Sequence, residues 1–153
     1  GIIKLNSKDR GGILLDTTSR LLSLLRSSSS MDDFLSIHKS NQLDCTLSQY
    51  LNTLLEEKQL SKSEVIRNSL LDPYYAYQIF RGKKQPSREK LLQLAFAFPL
   101  SEKEVQLLLY LGGVQKLYIK NRRDSIFLYA LEHGLSLQEV SDLLLELRES
   151  PLL

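Results

Sequence analysis

A Ser or Thr standing three residues ahead of a Glu or Gln recurs along this chain, as Thr46/Gln49, Ser61/Glu64, Ser101/Glu104 and Ser136/Glu139. Such a pair can close two of the backbone donors that a helix start leaves open. The hydroxyl accepts from the third helical N–H, and the longer side chain reaches back to the N–H of the capping residue. Each pair precedes apolar residues at helical spacing. The chain is thereby constrained to a set of short helices whose starts are fixed locally. Asp72 before Pro73 is an N-cap with Pro at the first helical position, and Ser87 after Pro86 opens "REKLLQLAFAF". Gly82, Gly112 and Gly134 stand where helices should stop. The pattern predicts helices near 47–58, 62–69, 73–80, 88–97, 102–111, 122–132 and 137–147. No stretch sustains the alternation of a half-buried strand, so the expected fold class is all-α.

The chain has 153 residues, 42% of them apolar, which suffices for one domain with an appendage. No apolar run is long enough to span a bilayer. "GIIKLNSKDRGG" has no long apolar core, so no secretory signal is expected, and Gly1 in place of a starting Met suggests a processed end. Cys45 is the only cysteine, which rules out an internal disulfide and favours a reducing, cytoplasmic setting. His38 and His133 have no cysteine in a ligand-like spacing, so no metal or other cofactor is expected. A Gly-rich phosphate loop, a nucleophile elbow and an HExxH pair are all missing, and the expectation is a protein that is not an enzyme.

Residues 1–45 read as an amino-terminal arm. "DTTSRLLSLLR" has the leucine pattern of a short amphipathic helix, "RSSSS" reads as a joint, and "MDDFLSIHK" as a second short helix. The arm either docks through Leu21, Leu24 and Leu25 or swaps between subunits. Residues 46–99 form the next unit and residues 100–153 a carboxy-terminal extension packed on it.

That extension belongs to an internal repeat. Residues 88–109 set over 123–144 match at Arg88/Arg123, Ala95/Ala130, Ser101/Ser136, Glu104/Glu139, Val105/Val140, Leu108/Leu143 and Leu109/Leu144, with Glu89/Asp124 conservative. Each copy reads as a helical hairpin. Shared capping grammar without common origin is the alternative.

Charge is +2 overall but uneven. Between 46 and 100, Lys58, Lys62, Arg67, Arg81, Lys83, Lys84, Arg88 and Lys90 outweigh Glu56, Glu57, Glu64, Asp72 and Glu89. A local basic surface of this kind suits an anionic partner, or is simply a solvated face. A second basic cluster, Lys116, Lys120, Arg122 and Arg123, lies beside Asp124 and reads as helix-start chemistry rather than a binding surface.

The run "LLEEKQLSKSEVI", a short second helix and "IFRGKKQPSREKLLQLA" together resemble the lambda-repressor-like helix-turn-helix family, also called Cro or XRE type. The resemblance covers about residues 47–97 and implies a helix-turn-helix bundle extended by the carboxy-terminal hairpins. It implies a bacterial-type, sequence-specific transcriptional regulator of double-stranded DNA. The helix at 62–69 would cross the DNA backbone and the helix at 73–80 would enter the major groove. Lys62, Ser63, Arg81, Lys83, Lys84 and Arg88 would serve phosphates, and Tyr74, Tyr77 and Gln78 would face the partner. Gln78 can pair with adenine, and Tyr74 can touch a phosphate or a thymine methyl.

Departures from the family pattern sharpen the expectation. Ile66 stands where relatives usually have Ala, and Ala76 where they have Ile or Val, an exchange that conserves volume. Leu70 stands where relatives usually have Gly in a left-handed turn, at a cost on the order of 1 kcal/mol or more if that geometry is kept. Lys62 replaces a Gln that grips phosphate and base. These departures support a second expectation, a protein-interaction module on a helix-turn-helix scaffold that has lost sharp DNA readout. A homodimer through the hairpins is a further expected partner.

Overall fold

The computed structural model describes residues 45–153, which are all-helical: α1 Leu47–Glu57, α2 Lys62–Ser69, α3 Pro73–Phe80, α4 Arg88–Ala95, α5 Glu102–Leu111, α6 Arg122–Glu132 and α7 Leu137–Glu146. The short helices expected within 1–45, and the docking of Leu21, Leu24 and Leu25, lie outside the described residues. Among the described residues no helix is long and apolar enough to cross a membrane.

The predicted caps set the starts. Thr46, Ser101 and Ser136 each close both donors with Gln49, Glu104 and Glu139. At Ser61 only the forward bond forms, from the Glu64 N–H at 3.3 Å, and the Ser61 hydroxyl also meets Ser63 Oγ at 3.0 Å. The ends differ slightly from expectation. α4 stops at Ala95 rather than 97, because Pro99 disfavours helix at Phe98 and the chain tightens through Ala97 N–H to Leu94 O and Phe98 N–H to Ala95 O. After α5 the left-handed residue is Gly113 (φ 71°), whereas Gly112 is helical in φ. Gly112 is small for another reason: a Cβ there would meet Leu91 Cδ2 at 2.5 Å.

One apolar core runs through all seven described helices. Tyr50, Leu51 and Leu54 of α1, Ile66 of α2, Ala76, Ile79 and Phe80 of α3, and Leu91, Leu92 and Leu94 of α4 are buried together with Leu107, Leu108, Phe127 and Leu144. α5 packs on both α1 and α4, so the core continues without a break past residue 100. Phe80 stacks on Phe98 with ring centroids 6.5 Å apart, and Phe96 meets Phe127 at 6.0 Å. α4–α5 and α6–α7 are successive hairpins. Their correspondence in geometry extends past the aligned residues, since Gly113 and Arg148 both turn left-handed, and Val114 and Glu149 both return an N–H to the carbonyl five residues back.

The turn between α2 and α3 keeps the strained geometry. Leu70 has φ 59° and ψ 16°, in the left-handed region, with its side chain mostly exposed. The usual bond closing such an end would run from the Leu71 N–H to the Ile66 carbonyl. Here the Ser69 hydroxyl stands between them, donating to Ile66 O at 2.6 Å and accepting from Leu71 N–H at 3.2 Å. Buried Gln93 of α4 donates to the Ser69 carbonyl at 2.7 Å, which ties the turn to the core.

Leu70→Gly is therefore expected to raise stability by about 1 kcal/mol in urea denaturation, by releasing left-handed strain at an exposed side chain. Ser69→Ala is expected to lower it by about 1–3 kcal/mol, because the Leu71 N–H loses its acceptor inside the protein. A loss on Leu70→Gly would mean that the leucine's apolar contacts outweigh the strain.

Candidate functional site

α3 has only eight residues, so its position is imposed by its ends and its inner face. Asp72 caps the start by accepting from the Tyr75 N–H at 3.0 Å, with Pro73 at the first helical position. Ala76, Ile79 and Phe80 are buried beneath it. At the far end, the Phe80 carbonyl accepts from Ser48 Oγ and from Asn52 Nδ2, both on α1. Gly82, at φ 76°, closes the helix with Gly82 N–H to Ile79 O and Lys83 N–H to Gln78 O.

That fixed inner face sets where the remaining side chains of α3 stand. Tyr74 is 69% exposed. Tyr75 and Tyr77 are half-buried and pack against the core edge. Gln78 is half-buried; its Nε2 donates to the Tyr74 hydroxyl at 3.1 Å, and its Oε1 is enclosed without a hydrogen-bond partner. Beside α3, Tyr77 and Pro73 line a mainly apolar depression of about 480 Å³ with Leu70, Leu71 and Ile66, rimmed by Ser63 and Arg67.

The basic residues fall into two groups. Arg81, Lys83 and Lys84 are exposed at and after the carboxyl end of α3, and no carboxylate among the described residues pairs with them. Lys62, at the first position of α2, is half-buried with Nζ 5.5 Å from the centre of the Phe80 ring. Ser63 follows it on the exposed side of α2.

Arg88 is different. Its guanidinium forks onto Asp124 with NH1–Oδ1 at 3.0 Å and NH2–Oδ2 at 2.9 Å, and donates to the carbonyls of Gln115 and Lys116. Asp124 is 5% exposed and also accepts from the Tyr118 N–H. Arg88, expected among the phosphate contacts, is thus engaged inside the protein and joins α4 to α6. The residue that sequence reasoning missed is Asp124 as its counter-ion. The repeat alignment carried the signal, because Arg88–Glu89 and Arg123–Asp124 occupy matched positions and pair crosswise. Arg123 donates to Glu89 at 2.7 and 3.1 Å. The hydrogen bond to Glu89 raises the Arg123 pKa above its ordinary value against the opposing effect of burial, and Glu149 adds to the rise.

The second basic cluster follows the same logic. Arg122 pairs with Glu149 at 3.2 Å, Arg123 also reaches the Ser150 carbonyl, and the Lys116 carbonyl serves Arg88. Its arginines act as structure. Among the described residues no three His, Cys, Asp or Glu side chains group as a metal site.

No protein-family model, curated protein or solved structure matches the chain.

Arg88→Ala is expected to cost about 3–5 kcal/mol of stability, since it leaves the buried Asp124 carboxylate without its partner. Thermal or urea unfolding measures the loss, and near-wild-type stability would show that the fork is incidental.

Proposed function

We propose that residues 47–97 form a helix-turn-helix unit of the lambda-repressor-like type, and that the chain is a sequence-specific regulator binding double-stranded DNA. α2 lies across the backbone and α3 enters the major groove. Lys62, Ser63, Arg81, Lys83 and Lys84 serve phosphates, and Tyr74, Tyr77 and Gln78 form the groove-facing side. Such a regulator acts beside a bacterial-type chromosome, in the cytoplasm.

The observation that carries this reading is the sorting of the cations. Arg88, Arg122, Arg123 and Lys58 hold carboxylates of the protein, whereas among the described residues no carboxylate pairs with Arg81, Lys83 and Lys84, which stand exposed at and after the carboxyl end of α3. A polyanion supplies the missing counter-charge. The left-handed Leu70 adds support, since it keeps the turn geometry for which the family uses Gly.

A second reading has its own observation. The apolar depression beside Leu70, Pro73 and Tyr77 is unusual on a face meant for phosphate, and it suits a protein partner.

Lys83→Ala combined with Lys84→Ala is expected to weaken binding to every duplex similarly and to reduce the slope of log K against log salt by about 1.8. Fluorescence polarisation on duplexes from upstream of the protein's own gene, repeated across salt, measures both. Unchanged affinity at every salt concentration removes this loop as the phosphate contact. A double variant that loses a protein partner but has no DNA binding to lose favours the second reading.

A further inference from the structure

Resting on the DNA reading above, the inference concerns which chemical group of the DNA the outer face of α3 recognises. Bidentate reading of adenine by Gln78 needs its amide oxygen and nitrogen together. Neither end is offered freely. Nε2 donates to the Tyr74 hydroxyl at 3.1 Å, and Oε1 is enclosed. The same bond holds the Tyr74 ring along the helix surface, one turn from its amide partner, with 69% of the residue exposed. Tyr77, three residues on from Tyr74, lines the apolar depression with Pro73 and Leu70. The most prominent group that α3 presents outward is therefore an aromatic face with apolar surface behind it. Exposed cations follow at and after the carboxyl end of the same helix, at Arg81, Lys83 and Lys84. In the major groove the one apolar group that distinguishes a base pair is the 5-methyl of thymine.

We infer that Tyr74 reads a thymine 5-methyl group by apolar contact, and that the Gln78 amide serves to orient the tyrosine ring. Phosphate contacts from the basic loop bring the helix to the duplex, and the methyl contact selects the site.

The test uses the full chain and duplexes enriched on it from a random-sequence pool. Each common thymine is then replaced singly by uracil, which keeps base pairing and removes only the methyl. Loss of the contacted methyl is expected to weaken binding about fourfold, the worth of one buried methyl-sized group. Tyr74→Ala, a change at an exposed position, is expected to bind the thymine and uracil duplexes equally. Tyr74→Phe keeps the ring but loses the hydroxyl that the Gln78 amide holds, and is expected to reduce the discrimination without abolishing it. Equal binding of thymine and uracil duplexes by the wild-type chain overturns the inference but leaves the DNA reading standing. So do enriched duplexes with no common thymine. Methyl discrimination that survives in Tyr74→Ala overturns the assignment to Tyr74. Failure to bind any duplex at low salt defeats the DNA reading itself, and this inference with it.

Discussion

Two arginines and two carboxylates at the starts of α4 and α6 join the hairpins through crossed ion pairs. Arg88 holds Asp124 and Arg123 holds Glu89. The first pair is the more buried and the more constrained. Asp124 accepts from both nitrogens of the Arg88 fork and from the Tyr118 backbone, so the connection between α5 and α6 is fixed at the same time. Gln106 fixes the other side of that connection, exchanging two buried hydrogen bonds with Leu117. Removing either charge leaves the other without compensation in a partly dry site, which makes such pairs costly to break whatever their net contribution to folding. Because Arg88 is the first residue of α4, the same anchor fixes where the chain leaves the basic loop of Lys83 and Lys84. The proposed face of α3 and the carboxy-terminal hairpins are therefore mechanically one object.

A comparable over-determination holds the turn before α3. A leucine in the left-handed region is strained, and strain persists only where surrounding contacts fix the backbone. Ser69 supplies those contacts with one hydroxyl, which takes the place of a backbone bond by receiving from Leu71 and giving to Ile66. Gln93 then holds the Ser69 carbonyl from α4. A turn closed by a side chain in this way does not need glycine to be well formed, but it does need the buried serine. This explains how the chain departs from the expected glycine and keeps the geometry.

Much of this was legible in the sequence, and the limit of legibility has a physical form. Capping is local: Thr46, Ser101 and Ser136 bond to residues three positions on, so the spacing alone located α1, α5 and α7. The inward positions Ala76 and Ile79 follow from helical period and are buried, and Phe80 next to them is buried as well. What periodicity cannot give is the partner of a long side chain. Arg88 and Lys83 are both basic and only five positions apart, yet Arg88 reaches a carboxylate thirty-six positions away while Lys83 meets none among the described residues. That choice depends on how the second hairpin docks, which is tertiary information. Gln78 is a similar case. Its side of the helix was readable, but its bond to the Tyr74 hydroxyl depends on two side-chain rotamers together.

The short length of α3 gives the arrangement its functional sense. Eight residues do not hold a helix in water, so α3 exists because both of its ends and one face are tied down. Asp72 and the Ser69 relay secure its start, Ser48 and Asn52 secure its last carbonyl, and Ala76, Ile79 and Phe80 anchor the inner face. None of these ties uses Tyr74, and Gln78 contributes only its backbone carbonyl, at the Lys83 turn. The Tyr74 side chain therefore has no part in securing α3, and the Gln78 amide bonds to its hydroxyl. On a duplex, the exposed aromatic of α3 and the basic loop that follows the helix would divide the work: charge provides attraction that salt weakens, and the apolar contact provides a preference that salt leaves largely intact. A protein partner would engage the same fixed helix through the same exposed ring. Both readings therefore share one scaffold, and they differ only in what meets Tyr74.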